Sequence, residues 1–205
     1  MGTFLKGFLV ILVAILAVLI AKPPRELDEI LLKNDADAHF FRGKIIVITG
    51  ATNGIGLGLT RKLISLGATV LALGRSETKL QRLREELDGI QTFRVDHTNL
   101  SAVAEAADAI RDATTHIDVL INNAGMHANF DLFAELVAGG FDKVFVVNYL
   151  SHFLLTEKVL DKLQNATKPI VVQASSSFHW AVDGSDLRSK DSTSSTPIAA
   201  QPGGS

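Results

Sequence analysis

Three glycines carry the first hint of chemistry. They stand in TGATNGIG, residues 49–56, at the spacing Gly-x-x-x-Gly-x-Gly, between the β-branched run KIIVITG (44–50) and the helically spaced IGLGLTRKLISLG (55–67). A turn of this kind can hold a diphosphate. Gly50 permits the tight turn, Gly54 lets backbone approach the anion, Gly56 lets the helix sit close on the strand, and the helix N-terminus faces the negative charge. Thr49, Asn53 and Ile55 share the turn and complete the candidate phosphate-binding set. The spacing is not Gly-x-Gly-x-x-Gly, and no Gly-Lys-Ser/Thr follows, so this is not a nucleotide-triphosphate P-loop. A purely structural turn is the plain alternative; the strand before it and the helix after it favour the anion.

A second candidate lies at the end of the next strand, LALGRSE (71–77). An acidic residue there would bind a ribose 2′-hydroxyl. The chain has Arg75 instead, whose guanidinium suits a 2′-phosphate, so NADP is favoured over NAD. A solvated surface arginine is the plain reading.

The elements that must position these residues follow a rhythm. Apolar runs at 44–50, 68–74, 90–96, 117–125 and 168–177 read as strands; segments at 55–67, 77–89, 99–115 and 140–164 read as helices. Such alternation implies an α/β fold: a Rossmann-type doubly wound parallel sheet of about five strands, with helices on both faces and ligands beyond the carboxyl ends of the strands. The expected domain spans 43–182, after a polar lead-in at 23–42 and before a Ser-, Thr-, Gly- and Pro-rich loop or disordered tail at 183–205.

Composition bounds the rest. Net charge is −2, with 20 basic and 22 acidic residues intermixed, which speaks against a nucleic-acid partner. Cysteine is absent and the six histidines are scattered, so no metal site is expected. Residues 4–21, FLKGFLVILVAILAVLIA, carry one charge, Lys6, and would measure about 27 Å as a helix, close to a bilayer's hydrocarbon thickness. The segment reads as an uncleaved single-pass anchor over 1–22. A buried helix is less suited to a span apolar all round, and a signal peptide would need a small residue where Leu19 stands. Lys22, Arg25 and Lys33 behind the span lean toward a cytosolic domain on the endoplasmic reticulum or another internal membrane.

Four further motifs give a resemblance. VD (95–96) after the third strand, NNAG (122–125) after the fourth, VNYLSHFLLT (147–156) in the long helix and IVVQASSS (170–177) in the fifth strand are together similar to short-chain dehydrogenase/reductases, and their wording resembles the retinol dehydrogenase-like branch. The resemblance implies hydride transfer between a nicotinamide cofactor and a carbonyl or alcohol. It places Asp96 near the adenine, Asn123, Ala124 and Gly125 in the cofactor wall, and Ser176 and Asn148 in the catalytic set. A strand-end serine and a structural asparagine are the plain readings of those two. With the apolar N-terminus, a lipophilic small-molecule substrate is expected; a homo-oligomer is compatible with the family.

The family's general acid is the tyrosine of Tyr-x-x-x-Lys, placed after the serine. The only tyrosine here is Tyr149, with Phe153 four residues on. The chain is therefore expected to lack C-terminal strands and to be inactive as it stands, or else to be a non-catalytic membrane-anchored dinucleotide-binding or interaction protein. A hydrolase built on Ser175–Ser177 lacks Gly-x-Ser-x-Gly.

Overall fold

The computed structural model describes residues 39–127, 135–137 and 139–175. The expected anchor at 4–21, most of the lead-in, the tail and Ser176 lie outside the described residues. Among the described residues no helix is long and apolar enough to cross a membrane.

Five parallel strands form the main sheet: β1 (Ile45–Thr49), β2 (Thr69–Gly74), β3 (Gln91–Arg94), β4 (Val119–Asn122) and β7 (Ile170–Gln173), in the order β3-β2-β1-β4-β7. The helices between them are α1 (Gly54–Ser65), α2 (Glu77–Glu86) and α3 (Leu100–Ala113). After β4 comes a helical run of four pieces: α4 (Lys143–Phe145), a π-helical turn (Val146–Leu150), α5 (Ser151–Lys158) and α6 (Leu160–Gln164).

The inner strands read as unbroken apolar runs because both of their faces are covered. Side chains alternate across a strand. Ile46 and Ile48 of β1, with Val70 and Ala72 of β2, therefore join one core with Leu63 of α1 and Leu83 of α2. Val47, Leu71 and Leu73 point the other way, to Val103, Ala107 and Ile110 of α3 and Leu155 of α5. Burying a side chain of this size is worth about 1.5–3 kcal/mol, so the two layers together fix the register.

A buried carboxylate fastens the amino ends of the central strands. Asp118, just before β4, accepts from Lys44 Nζ (2.7 Å) and from the Ile45 amide (2.9 Å) at the start of β1, with His116 Nε2 3.3 Å away. Burial disfavours its charge, but the bonds from Lys44 and Ile45 prevail and hold it below the usual carboxylate range. The edge strand β7 pairs with β4 and leaves Val171 exposed.

Two expectations need correction. The long helix does not begin at 140. Phe141–Asp142 is a short strand, β6, paired antiparallel with β5 (Leu136–Val137), and helix starts at Lys143. The Asp142 carboxylate accepts the Phe145 amide at 2.9 Å, so this N-cap sets the boundary. Nor is the run a uniform α-helix, since the π turn widens it around Asn148. The shorter strands and helices elsewhere differ from expectation only at their ends.

Candidate functional site

The carboxyl ends of β1, β2, β3 and β4 bring the sequence motifs to one side of the sheet. β1 ends at Thr49 and the chain turns through Gly50 to Asn53 before α1 begins. Two close approaches shape that turn. A Cβ at Gly56 would lie 2.2 Å from the Gly50 carbonyl oxygen and 2.6 Å from Asn123 Nδ2; one at Gly50 would lie 3.0 Å from the Ala124 Cα. Only hydrogen fits at Gly56 and a Cβ at Gly50 would crowd Ala124, so α1, the β1 turn and the β4 turn are closely apposed.

Among the described residues no side chain caps the α1 N-terminus. Asn53 makes no side-chain capping bond and the first turn holds no acidic residue. The first helical bond runs from the Leu57 amide to the Asn53 carbonyl, 3.2 Å, which leaves the amides of Gly54, Ile55 and Gly56 ahead of it. Asn53, Gly54 and Ile55 are exposed, so an anion can reach the positive end of the helix. Space around Gly54 is open, and its φ of +49° alone requires glycine there; Gly50, at φ +68°, needs glycine on both counts.

Polar bonds hold the opposite wall. The buried Thr49 Oγ1 accepts the amides of Asn123 and Ala124, both at 2.9 Å, and Asn123 Nδ2 donates to the Thr49 carbonyl at 3.0 Å. Asn148, exposed in the π turn, clamps the next loop residue: its Oδ1 accepts the Met126 amide and its Nδ2 donates to the Met126 carbonyl, each at 2.9 Å. Gly125 lies against it, with a notional Cβ 3.5 Å from Asn148 Oδ1. The side chain of Asn148 thus shapes the wall, and π turns of this sort recur at functional sites.

Beyond β3, the Asp96 carboxylate accepts both the amide (3.0 Å) and the hydroxyl (2.8 Å) of Thr98. Burial opposes its charge, yet those bonds and the nearby Arg75 cation keep it ionised below the usual range. Arg75 is exposed directly after β2, free of the core. Thr49, Gly50, Gly56, Asn123, Ala124, Gly125 and Asn148 therefore form one continuous chain of contacts, while Asp96 and Arg75 lie just past the ends of β3 and β2. Ser176 falls outside the described residues, one past Ser175.

Sequence reasoning missed three site residues. Gly74 ends β2 where a Cβ would meet Thr52 Cγ2 at 2.7 Å, so it seats the glycine turn against the second strand. His97 and His152 form a buried pair beneath the site, ring centroids 5.2 Å apart. A glycine at a strand end was the only signal for the first; the histidines are too far apart in sequence to be read as a pair. Among the described residues no group of three or more His, Asp or Glu is placed to hold a metal. A polar cleft of about 320 Å³, lined by Arg42, Lys44, His116 and Asp118, lies at the amino ends of the strands, away from this chemistry.

Comparison with known proteins follows the same geometry. Residues 44–181 match the short chain dehydrogenase family. Human retinol dehydrogenase 13 is 31% identical over 71% of this chain and 45% of its own length. The crystal structure of a short chain dehydrogenase from Salmonella enterica serovar Typhi aligns with TM-score 0.59 at 28% identity, over 71% of this chain and 62% of that one. A metagenomic short-chain oxidoreductase in complex with NADP aligns with TM-score 0.55 at 28% identity, over 64% of this chain and 61% of that one. The chain spans about half the length of the curated relatives it matches.

Proposed function

The chain belongs to the short chain dehydrogenase family, an oxidoreductase family, in its retinol dehydrogenase-like branch, and from that premise we propose that it binds NADP(H) in preference to NAD(H) along the carboxyl ends of β1 to β4. The observation that carries this reading is the open α1 N-terminus, closed in by Gly50, Gly56 and the Asn123–Gly125 turn. The diphosphate sits on the Gly54–Gly56 amides, Asp96 faces the adenine, and Arg75 takes the 2′-phosphate. Asn148 keeps the wall in place beside the nicotinamide, and Ser176 holds the substrate oxygen.

The reaction of the whole protein is hydride exchange between the nicotinamide and a carbonyl or alcohol. When bound, the dinucleotide supplies the hydride; this chain's residues bind it, orient it and shape the wall against which the ring lies. The substrate is lipophilic, a reading supported by the apolar segment 4–21 as a membrane anchor and by relatives named retinol dehydrogenase and polyprenol dehydrogenase. General acid chemistry is worth about 10²- to 10⁴-fold, and these 205 residues hold no Tyr-x-x-x-Lys. The chain by itself therefore binds dinucleotide without turning substrate over. Calorimetric titration of the full chain with NADPH and NADH tests the reading, alongside an assay for reduction of lipophilic aldehydes. Tighter NADPH binding without turnover is expected; no heat with either nucleotide from folded protein overturns it.

A further inference from the structure

Three polar residues stand four apart on the helical run, at Asn148, His152 and Thr156, and each fastens a different part of the 122–126 turn. Asn148 holds Met126 from both sides. Thr156 Oγ1 accepts Asn122 Nδ2 at 3.1 Å while donating to the His152 carbonyl at 2.8 Å. His152 reaches Asn123 and Ala124 through Thr49: its Nε2 lies 3.1 Å from Thr49 Oγ1, and both residues are buried.

Proton counting fixes the direction of that last bond. Thr49 Oγ1 already accepts two amides, which occupy both of its lone pairs. Its one proton is left for His152 Nε2, so Nε2 is an acceptor and the ring proton sits on Nδ1, facing the Asn148 carbonyl at 3.4 Å. We propose that His152 is a positioning residue of the dinucleotide site: as an acceptor it aims the Thr49 hydroxyl so that one oxygen holds both the Asn123 and Ala124 amides, and protonation of the ring releases that hold. This deepens the dinucleotide reading and rests on it.

The surroundings agree. A protonated ring would point a second N–H at an oxygen with no lone pair to spare. The side chains bonded to or beside His152, Thr49 from β1 and Ser151 and Thr156 on its own helix, are neutral, and the Asn148 carbonyl favours a protonated ring less than burial opposes it. The titratable neighbour among the described residues is His97, with Asp96 beyond it. His97 Nδ1 meets Ser151 Oγ at 3.0 Å, Ser151 donates to the Val147 carbonyl, and His97 Nε2 is buried without a partner among the described residues. Two protonated rings cannot share this space, and burial holds the His152 ring below its ordinary value, so it is neutral at physiological pH.

The test uses the full chain with His152→Leu, which removes the acceptor, and His152→Gln, which restores one without a titrating ring. Hydrogen exchange at the Asn123 and Ala124 amides reads the hold itself; calorimetry with NADP+ reads its consequence. His152→Leu is expected to exchange at those two amides at least tenfold faster, beyond any change at β4, and to weaken NADP+ about five- to tenfold, the scale of one hydrogen bond. His152→Gln should recover both at pH 7.5 and lose the weakening that wild type shows as pH falls. Wild-type exchange at both amides in His152→Leu overturns the proposal. Should that variant not fold, wild type decides as pH is lowered from 7.5 to the onset of global unfolding: no selective acceleration at Asn123 and Ala124 over that range, once intrinsic rates are removed, overturns it equally. Exchange that follows the prediction in a chain that binds no dinucleotide upholds the positioning and sinks the dinucleotide reading instead.

Discussion

Gly56→Ala should be the most damaging single methyl this site can receive. The added carbon would sit 2.2 Å from the Gly50 carbonyl oxygen and 2.6 Å from Asn123 Nδ2, whereas real contacts stop near 3.0 Å. The gap must therefore open by about 0.8 Å, and both neighbours belong to turns held by buried bonds. Forced overpacking costs about 1–3 kcal/mol. Displacing Asn123 also breaks its 3.0 Å bond to the Thr49 carbonyl, worth about 1–3 kcal/mol when a partly buried group is left unsatisfied. The sum, about 2–6 kcal/mol, is a large share of a domain's stability. At about 2–4 °C per kcal/mol for a chain of this size, Tm should fall by roughly 4–24 °C, and dinucleotide binding should be lost. Gly58→Ala is the control. It lies two residues on in α1, exposed, with nothing within 4 Å of its notional Cβ and no positive φ. There the methyl removes only the helix penalty of glycine, about 1 kcal/mol, so Tm should rise by a few degrees. Thermal unfolding followed by circular dichroism measures both. Equal Tm values for the two variants would refute the claim that backbone contact, not helix propensity, fixes position 56.

Two other outcomes follow from single residues. Arg75→Ala should weaken NADPH by roughly ten- to a hundredfold, the scale of a charge-assisted bond of about 1.5–3 kcal/mol, while leaving NADH nearly unchanged; parallel titrations with the two nucleotides check it, and an equal loss for both would remove Arg75 from 2′-phosphate recognition. Burial, then the neighbouring His152, pushes His97 down to about 4; because the unfolded ring titrates near 6.5, its stabilisation is complete above that pH and is lost as pH falls toward 4, about 3 kcal/mol in all, so urea midpoints of wild type should decline more steeply over that window than those of His97→Leu, and parallel slopes would count against it.

How much of this was legible in the sequence depends on what kind of contact specifies it. β1 and β2 could be read because both faces of each strand are covered, so Ile46, Val47 and Ile48 all need to be apolar whichever way they point. The glycine turn could be read because backbone does the binding, and only glycine tolerates a 2.2 Å approach at 56. The start of the long helix was misread although its signal was present: Asp142 three residues before Phe145 is an N-cap, and the glycines at 139 and 140 belong to the hairpin before it. Tertiary side-chain bonds leave no such local trace. Thr49 and His152 are 103 residues apart and touch because β1 ends beside the π turn; His97 joins His152 from the loop after β3. Nothing in the spacing of those three residues says that they meet. Asn148, His152 and Thr156 do carry a trace, a polar residue every fourth position on a helix otherwise packed by Val147, Leu155 and Val159. A polar stripe beside an apolar one ordinarily faces water. Here His152 is buried and Thr156 partly so, because the stripe faces the β4 turn, whose amides need acceptors. The rule that buried polar groups must be paired explains the stripe once the turn is in place, but the stripe alone could not reveal the turn it serves.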